Sequence, residues 1–195
     1  IRRFDTETGR SEWIWRLERG WEASMGLSRD GRRLLATASP REGTETEGHP
    51  LVLFDLVEDT QRSITSHGTH VVAVALDPTG TIIVTGDEQG AVRVGSADDG
   101  EPHLLLGHSD AVNRKVNPLA VSPDGRWIAS GAGFEIRLWP MPDLTKPPLH
   151  TLPLDQLLAK LHELTNLELV EDEASSTGYR LEIGPFPGWE KAPEW

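Results

Sequence analysis

Short apolar segments alternate with tight turns along the first three quarters of the chain. Three turns of related sequence, LSRDG, LDPTG and VSPDG, end at Gly31, Gly80 and Gly125, which are 49 and 45 residues apart. Each turn lies between two apolar or β-branched runs of strand length, such as VVAVAL before the second turn and TIIVTGD after it. Two such runs joined by a tight glycine turn predict a β-hairpin. The hairpin is therefore a repeated unit of this chain.

A third strand-like segment follows each hairpin, and the chain opens with a related segment. These segments are IRRFD, PLVLFD, AVRVGS and EIRLWP. Aligning their ends places four residues in register at spacings of 50, 41 and 44 residues: Phe4, Phe54, Gly95 and Trp139. A period near 45 residues, with about four short strands in each unit, is typical of a β-propeller blade.

The sequence resembles the WD-repeat β-propeller family from about Ile1 to Pro153. The residues that carry the resemblance are an aromatic residue followed by Asp at the end of a repeat, Phe4-Asp5 and Phe54-Asp55, and the Gly-His dipeptide that opens a repeat, Gly107-His108. The family pattern is broken at other positions, which are Gly95-Ser96, Trp139-Pro140, Ser66-His67, Gln89 and Gly133. We therefore predict that the buried Asp-His-Ser-Trp hydrogen-bond network of the family is incomplete in the repeats that end at Gly95 and Trp139.

The predicted fold is all-β, a partial β-propeller of about three and a half four-stranded blades over residues 1–153. Closed propellers have about four to eight blades, so this number is too small for closure. Because Ile1 falls in the third strand of a blade, we expect the missing blades to lie upstream in a longer parent chain or to come from another chain.

The hydrophobic period changes after Pro153, which predicts a second, small domain over residues 154–195. Leucines at spacings of three and four share one face of a helix of about three turns: Leu154, Leu157, Leu158, Leu161 and Leu164. The segment NLELVEDEASSTGYRLEI then predicts a β-hairpin, and GPFPGWEKAPEW predicts an extended end, because its prolines exclude a regular helix.

The end of the chain is similar to the ends of large bacterial WD-repeat proteins whose other domains are signalling enzymes. The stretch that carries this similarity is GYRLEIGPFPGWE. It implies that the chain is the C-terminal part of a larger bacterial signalling or regulatory protein. An enzymatic domain upstream, such as a kinase or a caspase-like protease, is compatible with this interpretation.

Composition narrows the classes of partner. The chain has 31 acidic and 19 basic residues and a formal net charge of −12, so it repels phosphate backbones and we expect no nucleic-acid partner. It contains no Cys, which excludes disulfides and thiolate zinc sites and favours a cytoplasmic location. No run of about 18 apolar residues is present, so we expect no membrane partner.

The sequence offers little catalytic or metal-binding chemistry. The tightest histidine pair is His67 and His70, but a strand-turn setting does not bring residues three apart to one side, and no third ligand is nearby. No nucleophile elbow, phosphate loop or zinc-protease motif is present. We expect no metal, no cofactor and no catalytic residue, so the chain is predicted to be a non-catalytic protein-protein interaction or scaffold module. The alternative is a propeller enzyme with a hydrolytic or metal site in its central channel.

The resemblance also implies where a partner binds. In the family, partner-contacting residues lie at the start of the innermost strand of each blade, seven residues before the hairpin turn. Counting back from Ser28, Asp77 and Ser122 reaches Trp21, His70 and Lys115. An aromatic ring, an imidazole and a cation form a plausible recognition patch for a protein partner, or for another domain of the same parent chain. In the alternative interpretation, Trp21 covers the edge of the core and the other two are ordinary surface residues.

Overall fold

The computed structural model divides the chain into two compact units, Ile1–Met141 and Pro142–Trp195. It describes residues 1–16, 21–40, 50–98, 100–106, 108, 114–164, 167–172, 175 and 178–183. The division at residue 141 lies near the change of hydrophobic period. The predicted domain boundary at residue 153 itself stays a prediction.

The first unit is built from antiparallel strands in consecutive sheets. A two-stranded ribbon contains β1 (Arg2–Phe4) and β2 (Ser11–Trp13). The first sheet contains β3 (Trp21–Leu27), β4 (Arg33–Pro40), β5 (Leu51–Asp55) and β6 (Thr60–Ser63), in that order. The second sheet contains β7 (Val71–Leu76), β8 (Ile82–Asp87), β9 (Ala91–Ser96) and β10 (His103–Leu106). The third sheet contains β11 (Val116–Val121), β12 (Trp127–Ala132) and β13 (Glu135–Pro140). The three predicted hairpins thus lie in three separate sheets, as expected.

Each repeated turn is closed by the side chain of the second residue of its five-residue motif. The Asp77 carboxylate accepts hydrogen bonds from the backbone N–H groups of Thr81 and Ile82, both at 2.7 Å. Ser28 and Ser122 do the same with one hydroxyl each, accepting from the N–H groups of Arg33 and Trp127. The glycine that ends each turn has a φ near +72°, in the left-handed region that favours glycine: Gly31 at 71°, Gly80 at 73° and Gly125 at 72°. This chemistry explains why the turns could be recognised in the sequence.

The first and second sheets pack through aliphatic side chains. Leu35, Leu51 and Leu53 of the first sheet form one buried cluster with residues of the second, Val71, Val74, Leu76 and Ile83. Two hydrogen bonds cross the same boundary: the Thr37 hydroxyl donates to the Val71 carbonyl at 3.1 Å, and the Val74 N–H donates to the Ser24 hydroxyl at 3.2 Å. The core of this unit therefore lies between sheets.

The outer face of the third sheet is apolar and exposed. Ile136 and Leu138 are 80% and 68% exposed. They occupy the register positions of Val92 and Val94 in the second sheet, which are fully buried. Within the described residues, no further sheet covers the third one, so equivalent positions differ in burial according to whether another sheet packs on them.

The second and third sheets are in close contact at Gly86, which gives a sharp stability prediction. A Cβ atom at Gly86 would lie 2.5 Å from Cγ1 of the fully buried Val116. We expect Gly86→Ala to lower the free energy of unfolding by about 1–3 kcal/mol, because this overlap outweighs the usual entropic gain of replacing glycine. Urea denaturation measures the change.

The double variant Gly86→Ala/Val116→Ala supplies the control for this contact. Val116→Ala removes the closest contact, at Cγ1, and leaves the Val116 Cβ at 2.7 Å from the new atom, so the overlap is relieved in part. The double variant should therefore lose less stability than the sum of the two single variants. Additive losses would show that the two sheets do not meet at this point.

The second unit contains the predicted helix and hairpin. A 3-10 turn, Leu149–Thr151, precedes helix α1, Leu154–Leu164, whose Leu157 N–H donates to the Pro153 carbonyl at 2.9 Å. Strands β14 (Leu167–Glu171) and β15 (Tyr179–Ile183) pair antiparallel. The predicted extended end, residues 184–195, lies outside the described residues. In the part of the chain that the structure describes, no helix combines the length and apolarity needed to cross a membrane.

Candidate functional site

The first strands of neighbouring sheets begin at the same end of the first unit. The Ser24 hydroxyl meets Val74, and a Cβ at Gly26 would lie 3.0 Å from the Ala75 Cα, so β3 and β7 run side by side in the same direction. The turn between β8 and β9 then links β7 to β11. Its Glu88 N–H donates to the His70 carbonyl at 3.3 Å, and a Cβ at its Gly90 would lie 3.3 Å from the Arg114 carbonyl oxygen. We call this end of the unit the rim.

The structure places all three sequence-predicted site residues at strand starts on the rim. Trp21 is the first residue of β3, and its side chain lies outside the described part of the chain. His70 and Lys115 directly precede β7 and β11, and both are exposed. The counting rule thus reached three strand starts. His70 and Lys115 are equivalent in strand register, whereas β3 lacks the register shift of β7 and β11, so Trp21 is offset from them by one register position. Their role in binding stays a prediction.

A buried carboxylate holds the turn between β8 and β9. One oxygen of Asp87 accepts hydrogen bonds from the N–H groups of Gln89 and Ala91, at 2.9 and 2.8 Å. The other oxygen accepts from the Arg93 guanidinium at 2.6 Å. Asp87 thus fixes the part of the rim that lies between His70 and Lys115.

A second carboxylate holds the turn between β12 and β13. Glu135 lies 3.3 Å from Nδ1 of His108, and Nε2 of that ring lies 2.7 Å from the Ser130 hydroxyl. The Trp139 indole N–H donates to the same hydroxyl at 2.7 Å. Arg137 donates to Glu135 at 2.8 Å and, as the largest influence, lowers the pKa of that carboxyl, which keeps it ionised. The four side chains Glu135, His108, Ser130 and Trp139 therefore form one connected network.

The prediction of an incomplete network was wrong for the third sheet and right for the second. In the third sheet Gly133 cannot supply a carboxylate, but Glu135 supplies one from two residues further along. In the second sheet Nδ1 of His67 lies 3.0 Å from the Thr85 hydroxyl, and Nε2 is buried with no hydrogen-bond partner among the described residues. Gly95 occupies the register position that Trp139 has in the third sheet. A Cβ atom added at Gly95 would lie 2.7 Å from Nε2 of His67.

Comparison with known proteins identifies these repeats. The family described as WD domain, G-beta repeat, matches residues 58–94 and 101–140. By this comparison the two matched segments are WD40 repeats, and together they cover less than half of the chain. The two matches cover β6 to β9 and β10 to β13 approximately, so each WD40 repeat joins the last strand of one sheet to three strands of the next.

Solved structures confirm the fold as a partial β-propeller. One similar chain is from a crystal structure of the mitotic checkpoint complex, with a TM-score of 0.57, 19% identity, and coverage of 72% of this chain and 40% of that one. Another is TolB from Acinetobacter baumannii, with a TM-score of 0.53, 18% identity, and coverage of 72% and 35%. This chain therefore spans less than half the length of either. No curated protein matches the sequence significantly.

WD40 repeats generally mediate protein-protein interactions, and WD40 propellers are generally non-catalytic. The WD40 network of the third sheet nevertheless has the order of a hydrolase triad, carboxylate, histidine and serine. Ser130 is only 1% exposed, and its hydroxyl oxygen accepts the Trp139 N–H, so it does not face a substrate. The geometry suits a structural role, because it ties the three strands of the sheet to the segment before them.

The histidine pair of the sequence is not brought together as a metal site. His67 is buried against Thr85, whereas His70 is exposed on the rim. Among the residues that the structure describes, no group of three or more His, Asp or Glu side chains could hold a metal ion.

Sequence reasoning missed two residues of the rim, Arg114 and Phe134. Arg114 is exposed next to Lys115. Phe134 is fully exposed at the tip of the turn between β12 and β13. Phe134 could have been recognised in the sequence, because it is an aromatic residue directly after Gly133, in a turn where an apolar side chain has no strand face on which to pack.

Proposed function

We propose that this chain is a protein-interaction module that performs no reaction and binds through the rim. The partner is another protein or another domain of the same parent chain. The observation that carries the proposal is that His70 and Lys115 are exposed at equivalent strand starts, on either side of a turn that Asp87 holds rigidly. Exposed polar groups on a preorganised frame lose little entropy on binding.

The wider setting is also proposed. Residues 1–153 and 154–195 act as two domains of a larger bacterial signalling or regulatory protein in the cytoplasm. The general role of WD40 repeats and the similarity of the chain end support this setting, and the rim then serves as a scaffold surface.

A quantitative pull-down tests the proposed function. The wild-type chain and the triple variant Trp21→Ala/His70→Ala/Lys115→Glu are used as baits, with cross-linking, in a lysate of the cells that make the protein. We expect the proteins retained by the wild type to be reduced about tenfold by the triple variant, because truncating a few central residues of an interface removes most of its affinity. The matched control is Arg126→Glu, which changes an exposed charge in a hairpin turn at the opposite end. Equal retention by all three baits would contradict the proposal.

A further inference from the structure

The rim of the second and third sheets presents a continuous row of exposed side chains. The turn between β8 and β9 touches the His70 backbone on one side and the Arg114 backbone on the other. Val116 pairs with Ala132 across the third sheet, so Lys115 lies next to the turn that carries Phe134. We name five exposed residues of this row the rim surface: His70, Glu88, Arg114, Lys115 and Phe134.

The rim surface has a charge opposite to that of the whole chain. It contains two permanent cations, Arg114 and Lys115, one imidazole and one anion, Glu88, whereas the chain has a net charge of −12. The nearby ionic groups Arg93 and Arg137 are already paired with Asp87 and Glu135. At physiological salt the Debye length is about 8 Å, so a bound group senses mainly the adjacent cations and not the distant acidic residues.

The aromatic end of the rim surface is preorganised. Phe134 is followed directly by Glu135, whose carboxylate is fixed by His108 and Arg137. The ring is therefore exposed to solvent on a turn whose backbone is anchored on one side. An exposed aromatic side chain on a rigid support is typical of an interface anchor, since little freedom remains to be lost when the partner covers it.

We infer that the rim surface recognises an acidic peptide segment that carries an apolar side chain beside its carboxylates. In this inference, which rests on the proposed function, Arg114 and Lys115 contact the carboxylates and Phe134 packs on the apolar side chain. A nucleic acid fits less well, because two adjacent cations neutralise too few phosphates for the counterion release that supplies most of the affinity for a phosphate backbone.

Fluorescence anisotropy with three labelled ten-residue peptides tests the inference. The first is Glu-rich with a central Leu, the second has Ser in place of that Leu, and the third has Lys in place of every Glu. We expect the full chain to bind the first peptide most tightly and the third least. Phe134→Ala and the double variant Arg114→Glu/Lys115→Glu should each weaken binding of the first peptide about tenfold. The double variant should also remove most of its salt dependence.

Two control variants make the result specific to the rim surface. Phe4→Ala removes another exposed aromatic ring, and Arg126→Glu reverses another exposed charge. Both should bind the first peptide like the wild type. Circular dichroism and melting temperature verify the fold of every variant, and Lys115→Gln replaces the double variant if the latter is unfolded.

Each outcome has a separate meaning. The inference is overturned if the three peptides bind equally, if Phe134→Ala has no effect, or if a single-stranded oligonucleotide binds as tightly as the first peptide. If none of the peptides binds but the triple variant still retains fewer proteins than the wild type in the pull-down, the inferred partner chemistry is wrong and the proposed function stands. If the triple variant retains the same proteins as the wild type in the pull-down, the proposed function is wrong as well.

Discussion

Replacing Asp87 by Ala is expected to lower the free energy of unfolding by about 3–5 kcal/mol. Asp87 is buried, and its two oxygens hold the Arg93 guanidinium and two backbone N–H groups of the turn between β8 and β9. Removing one partner of a buried ion pair leaves the other charge without compensation, which costs about that much. Urea denaturation followed by circular dichroism measures the loss.

Two further variants separate the parts of this effect. Asp87→Asn keeps an oxygen that can accept the backbone N–H groups but removes the charge, so its loss should be smaller than that of Asp87→Ala. Asp98→Ala is the surface control, because its side chain is 83% exposed and its oxygen lies 3.9 Å from Arg62. Exposed pairs contribute about 0–1 kcal/mol. If Asp87→Ala costs no more than Asp98→Ala, the carboxylate does not hold the rim.

The second large effect is a loss of stability in mild acid that depends on His67. Burial, with the Arg93 charge as a smaller cause, lowers the pKa of His67 from 6.5 to about 4. In the unfolded chain the same imidazole binds a proton near pH 6.5, so the unfolded state holds more protons between these two values. Stability therefore falls as the pH decreases from 6.5 to 4, and the His67 contribution is constant outside this window. The expected loss is about 3 kcal/mol, since one pKa unit corresponds to about 1.4 kcal/mol.

The measurement is the free energy of unfolding between pH 7.5 and 3.5 for the wild type and for His67→Gln. Carboxylates in the turns, such as Asp30 and Asp143, have lowered pKa values through their hydrogen bonds and also lose stabilising interactions in acid. They are present in both proteins, so the difference between the two curves isolates His67. His150→Gln makes the same substitution at an exposed histidine of the 3-10 turn and is the control for the substitution itself. Parallel curves for wild type and His67→Gln would show that the ring is not held neutral.

His67 and His108 differ in their hydrogen-bond partners. Both rings occupy the same position relative to their sheets. Both nitrogens of His108 have partners, Glu135 and Ser130. His67 has a neutral hydroxyl on Nδ1 and, in the part of the chain that the structure describes, no hydrogen-bond partner on Nε2, with the Arg93 guanidinium nearby. The second sheet thus carries a local weakness that the third sheet lacks.

The strands and turns of this protein could be predicted from the sequence because their causes are local. A capping Ser or Asp, a glycine in the left-handed region and apolar residues on both sides specify a hairpin without reference to the rest of the chain. The register of Phe54, Gly95 and Trp139 followed from the same repeat. The strand starts at Trp21, His70 and Lys115 were located for this reason.

The tertiary structure alone decided which side chains meet and which faces are covered. Glu135 completes the network of His108 although the repeat pattern placed Gly133 at that position, because a hydrogen bond depends on distance in space and not on position in a repeat. Ile136 and Leu138 are as apolar as Val92 and Val94, and only the presence or absence of a neighbouring sheet makes them differ in burial. A local pattern fixes the backbone of each hairpin, whereas burial and side-chain contacts depend on packing between sheets that are distant in the sequence.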